Sequence, residues 1–301
     1  MTVTDIEQRV AELKQMRNAV ILVHNYQIPE VQDLGDYLGD SLGLSQEAAE
    51  TDADVIVFCG VHFMAQTAKL LSPEKTVLMP DPGAGCPMAD MITPEQVRKF
   101  KAEHDGAPVV AYVNTTAEVK AESDICCTSS NSIRVVESLD ADPVLFIPDA
   151  HLADWTDRNV SKQVIAWGGY CPTHVRISPE TVRYMKQQHP DAVFIVHPEA
   201  RREVVDLADE VASTGGMVTF ARESDADEII VGTEEGLVYR LRKENPDKTF
   251  YVVPHTVCPN MKKTTAEKLV ALLEEMQYEI DVAPDIAERA REAVARMMAV
   301  S

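Results

Sequence analysis

The 301-residue chain is expected to fold as three homologous three-layer αβα units with short parallel sheets, arranged with pseudo-threefold symmetry around a central site. Three observations predict this α/β class. First, Cys-Pro followed after five residues by Ser/Thr, Pro/Ala and Glu occurs at Cys86, Cys171 and Cys258, at intervals of 85 (86 to 171) and 87 (171 to 258) residues. Second, ITPEQVR at 92–98 recurs as ISPETVR at 177–183, and TDAD at 51–54 recurs as SDAD at 224–227. Third, short apolar β-rich runs alternate with helical patterns inside every copy. A period near 86 residues is too long for a solenoid repeat and fits a small domain. The units are expected at 1–103, 104–188 and 189–301.

Nine strands are predicted: 20–24, 55–58 and 76–79, then 109–113, 124–126 and 144–147, then 192–196, 228–231 and 249–253. Near-continuous apolar runs between helices indicate parallel strands covered on both faces. Ligands on such sheets bind beyond the carboxyl ends of the strands. There, His24 and His197 end matching runs, Asn114 ends the corresponding run of the middle copy, and the Cys-Pro loops fall nearby. Thr93, Ser178 and Thr265 read as helix N-caps, with Pro or Ala at the first helical position and Glu facing the dipole. Thr4 to Glu7 reads as a capping box opening an amphipathic helix with Ile6, Val10 and Leu13 on one face. Residues 284–299 read as a last amphipathic helix, and the acidic run 203–210 as a solvated helix face.

The net charge of −21 argues against a nucleic-acid or anionic-membrane partner, whose phosphates are bound mainly by Lys and Arg. It leaves room for a small anion in a local pocket. No apolar targeting core opens the chain, and no run approaches the ~18–20 apolar residues a membrane span needs, so a soluble, cytoplasmic protein is expected. Cysteines in that setting are free, catalytic or metal-bound rather than paired. Cys59, Cys126 and Cys127 sit in apolar runs and read as small buried hydrophobes. The Cys-Pro set is different, because a repeat has no packing reason to keep cysteine in a polar loop. Three thiolates on a pseudo-threefold axis form a metal-site geometry: a three-ligand zinc, or a 4Fe–4S cluster with one iron left open. Spacing alone leaves both open. His62, His104, His151, His189 and His255 read as structural or surface residues, and residues 232–236 (GTEEG) as a helix start after a strand.

The segments 24–26 (HNY), 36–41 (DYLGDS), 85–90 (GCPMAD), 111–114 (AYVN), 127–131 (CTSSN), 167–174 (WGGYCPTH), 196–199 (VHPE) and 255–260 (HTVCPN) together resemble the quinolinate synthase family of de novo NAD biosynthesis. The resemblance spans roughly His24 to Lys262. It implies three similar α/β domains and a 4Fe–4S cluster on Cys86, Cys171 and Cys258, whose open iron acts as a Lewis acid. It implies condensation of iminoaspartate with dihydroxyacetone phosphate to quinolinate, phosphate and water. Glu199 would be the general acid/base. His24 and His197 would bond substrate carboxylate or phosphate or relay protons, and Tyr26, Tyr112 and Asn114 would orient an imine or enediol. Ser41, Ser129, Ser213 and Thr214 would cradle anionic groups at helix starts, and His174 would support the neighbouring cluster cysteine. The chain lacks the C-terminal CxxC-type motif of some members, so redox switching of that kind is not expected. A transient handover of iminoaspartate from an L-aspartate oxidase or dehydrogenase is a further expectation. Two other readings fit the three cysteines: a zinc lyase, aldolase or hydrolase, and a non-catalytic iron–sulfur sensor.

Overall fold

The computed structural model describes residues 3–300. Among them, three four-stranded sheets form, with every pairing parallel. The first holds β1 (Ala19–His24), β2 (Tyr37–Gly39), β3 (Val55–Cys59) and β4 (Thr76–Leu78), in the order β2-β1-β3-β4. The second holds β5 (Val109–Tyr112), β6 (Ile125–Cys127), β7 (Val144–Ile147) and β8 (Val164–Ala166); the third holds β9 (Val193–Val196), β10 (Glu210–Val211), β11 (Glu228–Gly232) and β12 (Thr249–Val252). Both repeat the strand order of the first.

Helix α1 (Val3–Arg17) leads into the first sheet, whose strands are linked by α2 (Pro29–Gln32), α3 (Ser41–Glu50) and α4 (His62–Leu71). Helix α5 (Pro94–Ala102) leads into the second, linked by α6 (Ala117–Ala121), α7 (Ser132–Glu137) and α8 (Ala150–Asp157). Helix α9 (Pro179–Gln188) leads into the third, linked by α10 (Arg202–Val205), α11 (Thr214–Glu223) and α12 (Leu237–Glu244). Two helices close the chain, α13 (Ala266–Glu275) and α14 (Pro284–Val300).

All nine expected strands are present, because β3, β5 and β7 are buried along their whole length and their apolar runs are unbroken. The three unexpected strands, β2, β8 and β10, are sheet edges of two or three residues that face solvent or are half-buried; β8 is apolar (VIA) but too short to stand out. Thr93, Ser178 and Thr265 cap α5, α9 and α13, each accepting a backbone N–H three residues on. Thr4 does not cap α1, which is already helical at Val3. The run 203–210 is not one helical face either: α10 ends at Val205, Val204 and Val205 are buried, and Glu210 belongs to β10.

A polar device recurs in each unit. Asp36, Asp124 and Asp209 accept the backbone N–H of Ile21, Val109 and Phe194, each at 2.8 Å. Each also binds a lysine from the preceding helix, Lys14, Lys101 or Lys186. The clamp ties leading helix, central strand and edge strand together. It also sets the true offset between units, 88 residues (21 to 109) and then 85 (109 to 194). Lys75, Lys162 and Lys248 likewise donate to the carbonyls of Thr51, Leu139 and Ser224, where cations favour helix C-terminal ends.

One continuous apolar core runs through all three sheets and includes the stripe Ala290, Ala293, Val294 and Met297 of α14. Its spacing of i, i+3, i+4 and i+7 faces one side of the helix. Helix α14 packs on α6, β6 and α4, and α13 on α1, so the segment after the third sheet seals the first two units. Met297→Ala is expected to cost about 2–5 kcal/mol, because Met297 is fully buried and a cavity would remain. Thermal denaturation would read this as a lowered Tm; an unchanged Tm would show that α14 docks late or weakly.

Candidate functional site

The carboxyl ends of β1, β5 and β9 open onto one cavity of about 230 Å³. Cys86, Cys171 and Cys258, one from each Cys-Pro loop, all line it. His24, Tyr26, Ser41, Tyr112, Asn114, Ser129, His174, His197, Glu199 and Thr214 line it as well. Ser213 does not: it is the N-cap of α11, accepting the Gly216 N–H and bonded to Asp40 at 3.2 Å.

The register corrects one equivalence. Offsets of 88 and 85 make Tyr112, not Asn114, the counterpart of His24 and His197 (24 to 112 to 197). Asn114 instead corresponds to Tyr26 and Glu199 (26 to 114 to 199). The local geometry agrees. His24 Nδ1 accepts the Tyr26 N–H at 3.2 Å, and His197 Nδ1 accepts the Glu199 N–H at 3.3 Å. Both rings therefore carry their proton on Nε2. Burial pushes each imidazole down to about 3, so both are neutral donors. His197 Nε2 faces Ser129 Oγ at 3.2 Å.

Glu199 is the hub, and it is buried. Tyr112 Oη donates to Oε1 at 2.6 Å, Asn114 Nδ2 approaches the same oxygen at 3.4 Å, and His174 Nδ1 meets Oε2 at 2.7 Å. Burial alone would raise this carboxyl, but His174 and these hydrogen bonds outweigh it and hold it below the usual carboxylate range. The neutral His197 ring, 3.8 Å away, stacks on His174 and supplies packing rather than a charge partner. His174 also touches Cys171 Sγ at 3.1 Å through Nδ1 and Thr233 Oγ1 at 2.8 Å through Nε2, and Thr233 bonds Tyr26 Oη at 2.5 Å. A single chain of contacts thus runs from a loop thiol to the carboxylate and to both tyrosines.

Each loop sulfur faces amides of its own 3-10 turn: those of Met88 and Ala89 for Cys86, His174 for Cys171, Asn260 and Met261 for Cys258. Such donors favour thiolate. Burial acts the other way, raising all three thiols, Cys86 to about 12. A buried sulfur with amides aimed at it lacks a cation, and a bound metal supplies one. Among the described residues, the one set of three Cys, His, Asp or Glu ligand atoms within 4.8 Å of one another is Cys171, His174 and Glu199. Cys86 and Cys258 line the same cavity but are not part of that set.

Several lining residues carried no signal taken from the sequence. Glu234 lines the cavity; it and Asp149, which does not, follow β11 and β7 at equivalent positions, 85 residues apart (149 to 234), and both are fully buried. Glu234 accepts the Cys258 N–H at 2.9 Å and pairs with Lys262 at 2.9 Å, so residues 232–236 are more than a helix start. A polar residue directly after a strand, repeated at the unit offset, was the available clue. Arg176, five residues beyond Cys171, puts a cation in the cavity wall. Among the described residues no helix is long and apolar enough to cross a membrane.

Comparison with known proteins agrees with this architecture. The family model described as Quinolinate synthetase A protein matches residues 8–299. A quinolinate synthase of Dehalococcoides mccartyi (strain CBDB1) is 58% identical over 296 residues, covering 98% of each chain. One of Thermodesulfovibrio yellowstonii is 54% identical over 97% of each chain. Quinolinate synthase 1 of Methanosarcina acetivorans is 53% identical over 100% of this chain and 99% of its own. With matches of this length and identity, the chain belongs to the quinolinate synthetase A family.

Proposed function

We propose that this protein makes quinolinate, a precursor in NAD biosynthesis, by condensing iminoaspartate with dihydroxyacetone phosphate, releasing phosphate and water. The observation that carries the reading is the meeting of Cys86, Cys171 and Cys258, one per unit, on the cavity that also holds Glu199. Three buried, amide-facing sulfurs on one cavity suit a 4Fe–4S cluster as resident cofactor, with these three cysteines as its ligands. When bound, a cluster with three protein ligands supplies one iron position free to act as a Lewis acid.

The chain's own groups account for binding and proton movement. His24 and His197 offer neutral Nε2–H donors, and Ser41, Ser129 and Thr214 offer hydroxyls, to substrate carboxylate and phosphate oxygens. Arg176 adds a positive charge at the wall, where the net charge of the chain would otherwise repel an anion. Asn114 Oδ1 is buried without a hydrogen-bond partner among the described residues, an acceptor suited to an imine N–H. Glu199, ionised and bonded to Tyr112 Oη, is placed to take a proton from a carbon next to a carbonyl and return it to a departing hydroxyl. Tyr26 and Tyr112 keep their phenolic protons, since burial raises both well above their ordinary value. The Tyr112 proton holds Glu199 Oε1, and the Tyr26 hydroxyl remains a neutral polar group that orients substrate oxygen.

The test is anaerobic. The purified protein is expected to be brown, with about four irons per chain, and to form quinolinate from dihydroxyacetone phosphate and iminoaspartate generated in place. A colourless protein with stoichiometric zinc would overturn the cofactor reading. A brown protein that turns over neither substrate would instead support a sensor.

A further inference from the structure

The turns after β1 and β5, which carry Tyr26 and Asn114, are gripped from behind by buried donors. Gln32 Nε2, on α2, donates to the carbonyls of Asn25 at 3.3 Å and Gln27 at 2.8 Å. Lys120 Nζ, on α6, donates to the carbonyls of Val113 at 2.8 Å and of Thr115. In both units the carbonyls held are those on either side of the residue that lines the cavity. Positions 32 and 120 are 88 residues apart, the offset that also relates His24 to Tyr112 and Tyr26 to Asn114. The same device has therefore been built twice with different chemistry.

The third unit shows what its absence looks like. The equivalent position, 85 residues beyond Lys120, is Val205, which has no side-chain donor. There Glu199 is fixed through its own carboxylate by Tyr112 and His174. The Tyr26 and Asn114 side chains have no carboxylate of their own to fix them: Tyr26 Oη meets Thr233 Oγ1 at 2.5 Å and, at a long 3.4 Å, His174 Nε2, while Asn114 Nδ2 has one long bond at 3.4 Å.

Lys120 is also costly to keep. It is 0% exposed, and burial pulls its ammonium down to about 8. Among the described residues no carboxylate bonds it; besides the two carbonyls it has the Phe63 ring, 5.6 Å from Nζ. A residue retained only for packing would be apolar. Gln32 reaches further, to the Gly236 carbonyl of the third unit at 2.8 Å, so its grip also joins two units.

We infer that Gln32 and Lys120 are positioning residues for the reaction, holding the backbone on both sides of Tyr26 and Asn114 so that these side chains stay aimed into the cavity. The inference rests on the proposed reaction only for its activity readout. Lys120→Met removes the donor at similar volume, and Lys120→Gln installs the residue that serves in the first unit. Lys248→Met, which frees the Ser224 carbonyl at the far end of α11, controls for general loss of stability. The measurements are kcat and KM for quinolinate, iron per chain, Tm, and hydrogen exchange of the backbone amides at 113–116.

Lys120→Met is expected to lose about 10- to 100-fold in kcat with smaller change in KM, since misplacement of ~1 Å can cost that much. Iron content should hold, and the 113–116 amides should exchange faster. Lys120→Gln should recover most of the rate and protection. Lys248→Met should lower Tm while leaving kcat within about twofold, its site being remote from the cavity. Wild-type kcat and unchanged exchange in Lys120→Met would overturn the inference, as would an equal kcat loss in Lys248→Met at matched Tm. If the wild-type protein forms no quinolinate, the proposed reaction fails by itself, and the exchange comparison still decides whether Lys120 holds the turn.

Discussion

Glu199→Gln is expected to lower quinolinate formation by about 10²–10⁴-fold, the range a positioned general acid/base contributes, while the protein stays brown. Glutamine differs from glutamate in charge and proton affinity, not in shape. It keeps the length of the side chain and an oxygen able to accept from Tyr112, now 2.6 Å from Oε1. It loses the negative charge that pairs with His174 at 2.7 Å, and with it the only ionised carboxylate bonded to both Tyr112 and His174. The amide cannot take up a proton, so every step that needs one removed from carbon stops. None of the three loop sulfurs changes, so iron and sulfide content should match the wild type. Removing a buried, hydrogen-bonded carboxylate charge is itself destabilising by about 1–3 kcal/mol, so Tm must be followed beside kcat. Glu234→Gln serves as the comparison: it also neutralises a buried carboxylate paired with a cation, Lys262, but one bonded to the Cys258 loop rather than to Tyr112. A Glu199→Gln enzyme with more than a tenth of wild-type kcat would remove Glu199 from the proton-transfer role.

Much of this was legible in the sequence because repetition makes weak signals add. One Cys-Pro loop says little; three at matched distance from a capped helix define a unit, and the unit fixes where the thiols converge. Buried strands such as β3 and β7 announce themselves because both faces are covered, whereas β2, β8 and β10 are edges of two or three residues, too short for a pattern to stand out. Run ends misled. The middle run extends to Asn114, so its end was matched with His24 and His197, whereas the strands themselves are offset by 88 residues (21 to 109), which pairs Tyr112 with the histidines. Residues whose role depends on distant parts of the chain were silent. Thr233 joins Tyr26 and His174 across more than two hundred and about sixty positions, and no local pattern marks it. Lys120 was equally hidden, since a lysine in a short helix reads as surface until its burial is seen.

Cys171→Ala is expected to abolish both colour and turnover. Three ligands hold the proposed cluster where four are usual, so losing one leaves two and no compensating donor among the loop sulfurs. Iron per chain should fall from about four to near zero. Cys171 is the most informative of the three because its sulfur touches His174 at 3.1 Å, and His174 in turn holds Glu199. Its removal therefore strikes the centre and the carboxylate together, whereas Cys86→Ala and Cys258→Ala act mainly on the centre. The controls are in the same chain. Cys59, Cys126 and Cys127 are fully buried in strands, where chiefly burial raises their thiols, and they do not line the cavity. Their alanine variants should lose some stability and keep full iron and activity. Measured side by side under argon, iron retained in Cys171→Ala would rule out the three-thiol centre. Iron lost in Cys126→Ala as well would show that the cluster depends on the core of the second unit rather than on its loop.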